Sequence, residues 1–323
     1  MTLPEEEIMH HSPSYDNELA QTLGSLPQLD LNDIPATRAM LAELQRALPP
    51  YQPGPGVTHR QTEVPCADGR PPVPLHILAP NRDDTPMPAL MWLHGGGFVL
   101  GNATESLPFL DEIVRATGAM CLSVGYRLAP EAPFPAALED AAAALDWLCR
   151  QAAGLGVDPA RIAIGGQSAG GALAAGLALS HRDRGGPPLC LQLLDNPVTD
   201  DRLATASIRQ GDATPMWDKH CATLSWRAYL GGATDVSPYA APARAEDLTT
   251  LPPAYVSLAQ HDPLRDEGLE YGRRLAEAGI PTEMQLYPGT FHASASLMPG
   301  AAVSRRQGED LRQALKRAFG ATT

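Results

Sequence analysis

Residues 165–173 read GGQSAGGAL, and within them Gly166-Gln167-Ser168-Ala169-Gly170 has the form G-x-S-x-G. The apolar run RIAIGG (161–166) before the serine reads as a short buried strand, and the alanine-rich stretch 169–184 after it reads as a helix. A strand that becomes a helix across a single residue forces that residue into a strained backbone conformation. Side chains two places to either side would collide with the adjoining strand and helix, so glycine stands at 166 and 170. The strain lifts the Ser168 hydroxyl above the carboxyl edge of a sheet. The helix N-terminus beneath it turns positive dipole toward any anion that forms there.

The rest of the chain supplies such a sheet. THRQTEV (58–64) and VPLHILA (73–79) alternate like strands and are joined by a turn at Ala67-Asp68-Gly69. PALMWLH (88–94) and AMCLSVGY (119–126) are almost wholly apolar, as strands covered on both faces are. Further strands are expected at 189–195, 253–259 and 282–288, and helices at 104–118, 134–156, 267–279 and 304–319. This alternation predicts an α/β fold with a mostly parallel sheet and an antiparallel start. It breaks between Asp200 and about Leu251, where 214–232 reads as a helix carrying Trp217, Leu224, Trp226 and Tyr229. Near the N-terminus, 36–48 places Ala36, Met40, Leu41, Leu44 and Leu48 on one helical face, with Pro35 in the first turn and Pro49-Pro50 as the stop. The expected organisation is N-terminal cap helices in 1–50, a first core part in 51–200, a cap insertion in 201–250 and a second core part in 251–323.

Composition excludes several classes. The 323 residues are 44% hydrophobic and 19% charged with a net charge of −13, which suits a globular domain and repels nucleic acid and anionic lipid. Five scattered cysteines without a C-x-x-C pair read as reduced thiols and give no zinc site. The start, MTLPEEEIMHH, is acidic where a secretion signal is basic, and no run reaches the ~18 apolar residues of a membrane span. A cytoplasmic protein without metal or cofactor is expected.

A serine hydroxyl needs a base, and the oxyanion formed at an attacked carbonyl needs donors. Strand 88–94 runs into His94-Gly95-Gly96-Gly97-Phe98, whose glycines leave N–H groups facing a small concavity. Neither G-x-G-x-x-G nor a G-K-[ST] ending is present to make it a phosphate loop. Gly95, Gly96 and Ala169 are the expected oxyanion donors, with His94 orienting the loop. After a serine on such a turn, the acid and then the histidine follow in chain order. Of the later histidines, His181 suits a helix C-terminus, His220 lies in the insertion and His261 adjoins an acid, whereas His292 follows the last strand. The acid is expected at Asp262, first after the preceding strand. Asp266 remains the alternative, and Asp266 and Glu267 together suit the first turn of a helix. Asp195-Asn196 reads either as a pocket floor or as local backbone capping.

With HGGGF (94–98), SVGYRLAPEAPFPAALEDAAAAL (123–145), GGQSAGG, DPLRDEG (262–268) and the Phe291-His292 pair, the chain resembles the hormone-sensitive-lipase-like branch of the α/β-hydrolases, the bacterial esterases. The resemblance covers most of the chain. It implies an eight-stranded sheet, a cap made from the N-terminal segment and an insertion after the sixth strand, and cofactor-free hydrolysis of short-chain acyl esters, often by homodimers. Many members carry Asp before the nucleophile, where this chain has Gln167.

The expected chemistry is acyl transfer to water through a serine ester, with His292 as base, Asp262 as its orienting acid and a small ester as substrate. Phe98 and Trp217 are candidate pocket walls, the competing reading being that the insertion's aromatics pack the cap onto the sheet. An amidase or carbamate hydrolase with the same triad, and a non-catalytic binding protein of this fold, are the alternatives. The segment 282–288 is an edge through which two copies could pair.

Overall fold

Along the chain, short α1 (Asn17–Ala20) and the longer α2 (Ile34–Ala47) precede β1 (Val57–Val64), β2 (Val73–Pro80) and β3 (Met87–Leu93). Then come α3 (Leu107–Thr117), β4 (Met120–Val124), α4 (Ala136–Gln151), β5 (Val157–Gln167), α5 (Ala169–Asp183) and β6 (Leu191–Asp195). A helical stretch with α6 (Ala206–Arg209) and α7 (Lys219–Leu230) follows, and β7 (Ala254–His261), α8 (Arg265–Glu277), β8 (Thr282–Phe291), α9 (Ser294–Leu297) and α10 (Ala302–Ala318) complete it. The computed structural model describes residues 14–66, 69–81 and 86–320. Ala67 and Asp68 of the expected turn, and the first thirteen residues of the expected N-terminal cap, lie outside the described residues.

The strands form one eight-stranded sheet in the order β1-β2-β4-β3-β5-β6-β7-β8. β2 runs antiparallel to both its neighbours, and every other pairing is parallel. This is the α/β-hydrolase fold expected from the sequence. All residues of β3, β4 and β6 are buried, because helices cover both faces of the central strands. No helix among the described residues is long and apolar enough to cross a membrane.

The central helix α5 lies unusually close to the sheet. A Cβ built on Gly170 would stand 2.0 Å from the Leu93 carbonyl oxygen, so only glycine permits this approach. The N-terminal side chains explain a departure from the expected helix face. Leu44 and Leu48 are exposed (50% and 66%), whereas Thr37 is buried and Arg38 half-buried. Arg38 reaches across the fold: its guanidinium donates to the carbonyls of Val99 and Ala129, both at 2.7 Å, and pairs with Glu131 at 2.8 Å. These charge-assisted bonds hold α2 against the loop after β3; Leu41 packs half-buried on the core, while Leu44 and Leu48 stay outside.

Candidate active site

Ser168 stands between β5 and α5 with φ 55° and ψ −118°, a conformation that L-residues rarely adopt. Three main-chain bonds hold the bend: the Ser168 N–H donates to the Asp195 carbonyl at 2.8 Å, and its own carbonyl accepts from the Ala172 N–H at 3.1 Å and the Val198 N–H at 3.2 Å. The hydroxyl Oγ lies 2.9 Å from Nε2 of His292. His292 follows directly on β8, which extends to Phe291. Its Nδ1 lies 2.7 Å from Oδ2 of Asp262, and the other Asp262 oxygen accepts the Leu264 N–H at 2.9 Å. All three side chains are buried. A carboxylate only accepts, so Nδ1 carries the proton and Nε2 is free to accept one from serine.

Asp266, the alternative acid, points elsewhere and accepts from the Ser207 N–H at 2.8 Å and from Arg265. Three other histidines are engaged away from Ser168. His181, in the last turn of α5, holds the Pro187 carbonyl at 2.9 Å and is buried. His220 meets Asn32, and His261 meets the Ser14 carbonyl.

The loop after β3 packs against the serine. A Cβ on Gly95 would lie 3.5 Å from the Ser168 Cβ. No acceptor among the described residues takes the Gly95 or Gly96 N–H, and Ala169 N–H opens a helix, where no intrahelical acceptor exists. His94 explains the loop's shape. Its Nδ1 lies 2.7 Å from the Gly95 carbonyl and therefore donates to it. Burial pushes the His94 ring down to about 4, so it stays neutral wherever a histidine base could work. Tyr126, which the sequence reading passed over, stacks on this ring with centroids 4.1 Å apart, and its hydroxyl donates to the His94 carbonyl at 2.7 Å. Its signal was the VGYRLAP stretch following β4.

The two pocket candidates part ways. The Trp217 ring centroid is 6.0 Å from that of His292, and its Cη2 lies where a side chain on Gly97 would stand. Trp217 therefore roofs the loop and the histidine. Phe98 (φ 63°) turns away, stacks on Tyr229 at 3.8 Å and is 1% exposed. These contacts fasten α7 to the loop after β3.

Glu267 stands in the first turn of α8, as expected, and does more there. It is buried, one oxygen accepts from Thr199 N–H at 2.7 Å, and the other lacks a partner among the described residues. Burial holds its carboxyl well above the usual range. Together with Tyr271, Arg202, Arg244, Arg274 and Glu270 it lines a polar crevice of about 440 Å³, to which the triad contributes no wall. Asp195 caps no backbone; its carboxylate accepts from four side chains behind the elbow.

Known proteins resemble this chain along most of its length. The family model of the alpha/beta hydrolase fold matches residues 90–296, more than half of the chain. Esterase LipI of Mycobacterium tuberculosis is 36% identical over 305 residues, covering 92% of this chain and 93% of the relative. Carboxylesterase NlhH of the same organism is 39% identical over 263 residues, covering 78% and 80%. The solved structure of a bacterial heroin esterase matches with a TM-score of 0.92 at 45% identity, covering 95% of this chain and 98% of that one. The chain belongs to the α/β-hydrolase fold family, in its hormone-sensitive-lipase-like branch.

Proposed function

We propose that Ser168, His292 and Asp262 act as nucleophile, base and orienting acid of a serine carboxylesterase that takes small, short-chain acyl esters. Carboxylic ester hydrolysis is the activity that family membership and the esterase relatives support for this chain. The observation that carries the site assignment is the unbroken relay at one strained turn: Oγ to Nε2 at 2.9 Å and Nδ1 to carboxylate at 2.7 Å.

His292 takes the Ser168 proton as Oγ attacks the ester carbonyl, and Asp262 stabilises the imidazolium so formed. The oxyanion meets the N–H groups of Gly95, Gly96 and Ala169, each contributing about 3 kcal/mol. Collapse of the tetrahedral species expels the alcohol, which receives its proton from His292. Water, activated by the same ring, then attacks the acyl-serine and releases the acid. No step calls on a metal or cofactor.

The roof made by Trp217 and the packing of α7 on Phe98 support a cap over this site from residues 201–250, which the Asn32–His220 and Leu29–Cys221 contacts join to the N-terminal segment. They favour compact acyl groups. Matched p-nitrophenyl esters of two to twelve acyl carbons, with the anilide of the best one, check this. The rate should peak at short chains and exceed the anilide's by at least about 10³-fold, since an amine leaves far less readily than an alcohol. An anilide rate equal to the ester's would make the enzyme an amidase.

Five free cysteines favour a reducing, cytoplasmic setting. The edge strand β8, which exposes Met284 and Leu286 at 39% and 45%, favours a homodimer. A monomer in sedimentation velocity would remove the dimer.

A further inference from the structure

We propose that Gln167 and Asp195 form a positioning pair behind the elbow, in which a neutral amide at 167 tethers the segment carrying His292 to a buried carboxylate at the end of β6. The proposal rests on the reading of His292 as the base. Gln167 and Asp195 are register partners across β5 and β6, and Asp195 faces Ser257 across β6 and β7. One Asp195 oxygen accepts from Asn196 Nδ2 at 2.9 Å, Gln307 Nε2 at 3.0 Å and the Ser257 hydroxyl; the other accepts from Gln167 Nε2 at 3.0 Å. The Gln167 amide nitrogen also donates to Ser296 Oγ at 2.8 Å. Its two protons are thus divided between β6 and α9, the helix that opens two residues after His292. Asp195 touches the nucleophile as well, since its carbonyl accepts the Ser168 N–H.

The chemistry requires opposite characters at the two positions. The carboxylate is 6% exposed and is surrounded by four donors, so it needs hydrogen atoms from every neighbour. A carboxylate at 167 would supply none to Asp195 and would set two like charges in contact, while Ser296 could only turn its own hydroxyl proton toward it. Asp195 also faces His292, whose protonated form favours the Asp195 anion, and Tyr255 on β7. Burial raises the Asp195 carboxyl above its ordinary range while the donors and His292 pull it back. A second carboxyl beside it would therefore share a proton with it and lose that proton as pH rises.

The test compares kcat and KM from pH 5.5 to 9 for the wild type, Gln167→Glu, Asp195→Asn and the double variant. At pH 8, Gln167→Glu should lose about 100-fold in kcat with little change in KM, the scale of a misplaced catalytic group. Its deficit relative to wild type should shrink as pH falls and the two carboxyls share a proton. The double variant exchanges acid and amide, and should recover to within about fivefold of wild type at pH 8. Should Gln167→Glu fail to fold, Gln167→Met removes both donors without adding charge; it should lower kcat by about tenfold at every pH. A wild-type kcat in Gln167→Glu or Gln167→Met would overturn the proposal, as would a double variant no better than Gln167→Glu. Loss of activity in Ser168→Ala beside wild-type position-167 variants would overturn this pair alone. Full activity in Ser168→Ala would overturn the catalytic reading itself.

Discussion

Ser168→Ala is expected to lower kcat by about 10⁴–10⁶-fold, or about 5–8 kcal/mol of transition-state stabilisation. The substitution removes only the oxygen that would carry the acyl group. Alanine has the same Cβ as serine, so the strained bend at φ 55° and its three main-chain bonds are left as they are. The variant should therefore keep its circular dichroism spectrum and melting temperature while its esterase rate collapses. The residual rate would come from the Gly95 and Gly96 donors and from binding alone. Hydrolysis at the wild-type rate would show that another group attacks the ester.

Asp262→Asn is expected to cost about 10⁴-fold in kcat with KM nearly unchanged. The reason lies in hydrogen-bond polarity. One Asp262 oxygen is committed to the Leu264 N–H, so the asparagine would keep its carbonyl oxygen there and turn its NH₂ toward His292 Nδ1. The ring would then carry its proton on Nε2, facing Ser168 Oγ, where it cannot accept another. Asp266→Asn offers the control, since its carboxylate serves the start of α6 and Arg265. It should cost less than about tenfold, through small shifts of the loop. A larger loss from Asp266→Asn than from Asp262→Asn would reverse the assignment.

The parts of this protein readable from its sequence are those whose causes are local. β3 is apolar at every position but its proline because helices cover both its faces, and that pattern needs no knowledge of partners. The elbow declares itself because a one-residue reversal between strand and helix admits few side chains. Chain order points to His292 and Asp262 at successive strand ends, where His292 meets Ser168 and Asp262 meets His292. What escaped depends on partners distant in sequence. On α2, Arg38 reaching Val99 and Ala129 shares the inward side with Leu41, while Leu44 and Leu48 of the apolar stripe stay outside. Glu267 looked like a dipole-favoured first-turn acid, and only the packing of α8 against Thr199 and Asp200 buries it. Phe98 adjoins the loop glycines in sequence, yet its backbone sends the ring to Tyr229. Asp195 drew notice as a polar residue at a strand end, but three of its four donors come from β5, β7 and α10, which no local pattern connects.

The most direct measurement is to inactivate the enzyme with a p-nitrophenyl alkylphosphonate and locate the phosphonyl group by peptide mass spectrometry. One equivalent on Ser168, released p-nitrophenol matching the activity lost, is the predicted result. Phosphonylation of a different residue in step with inactivation would contradict the account, as would an enzyme that hydrolyses esters with Ser168 left unmodified.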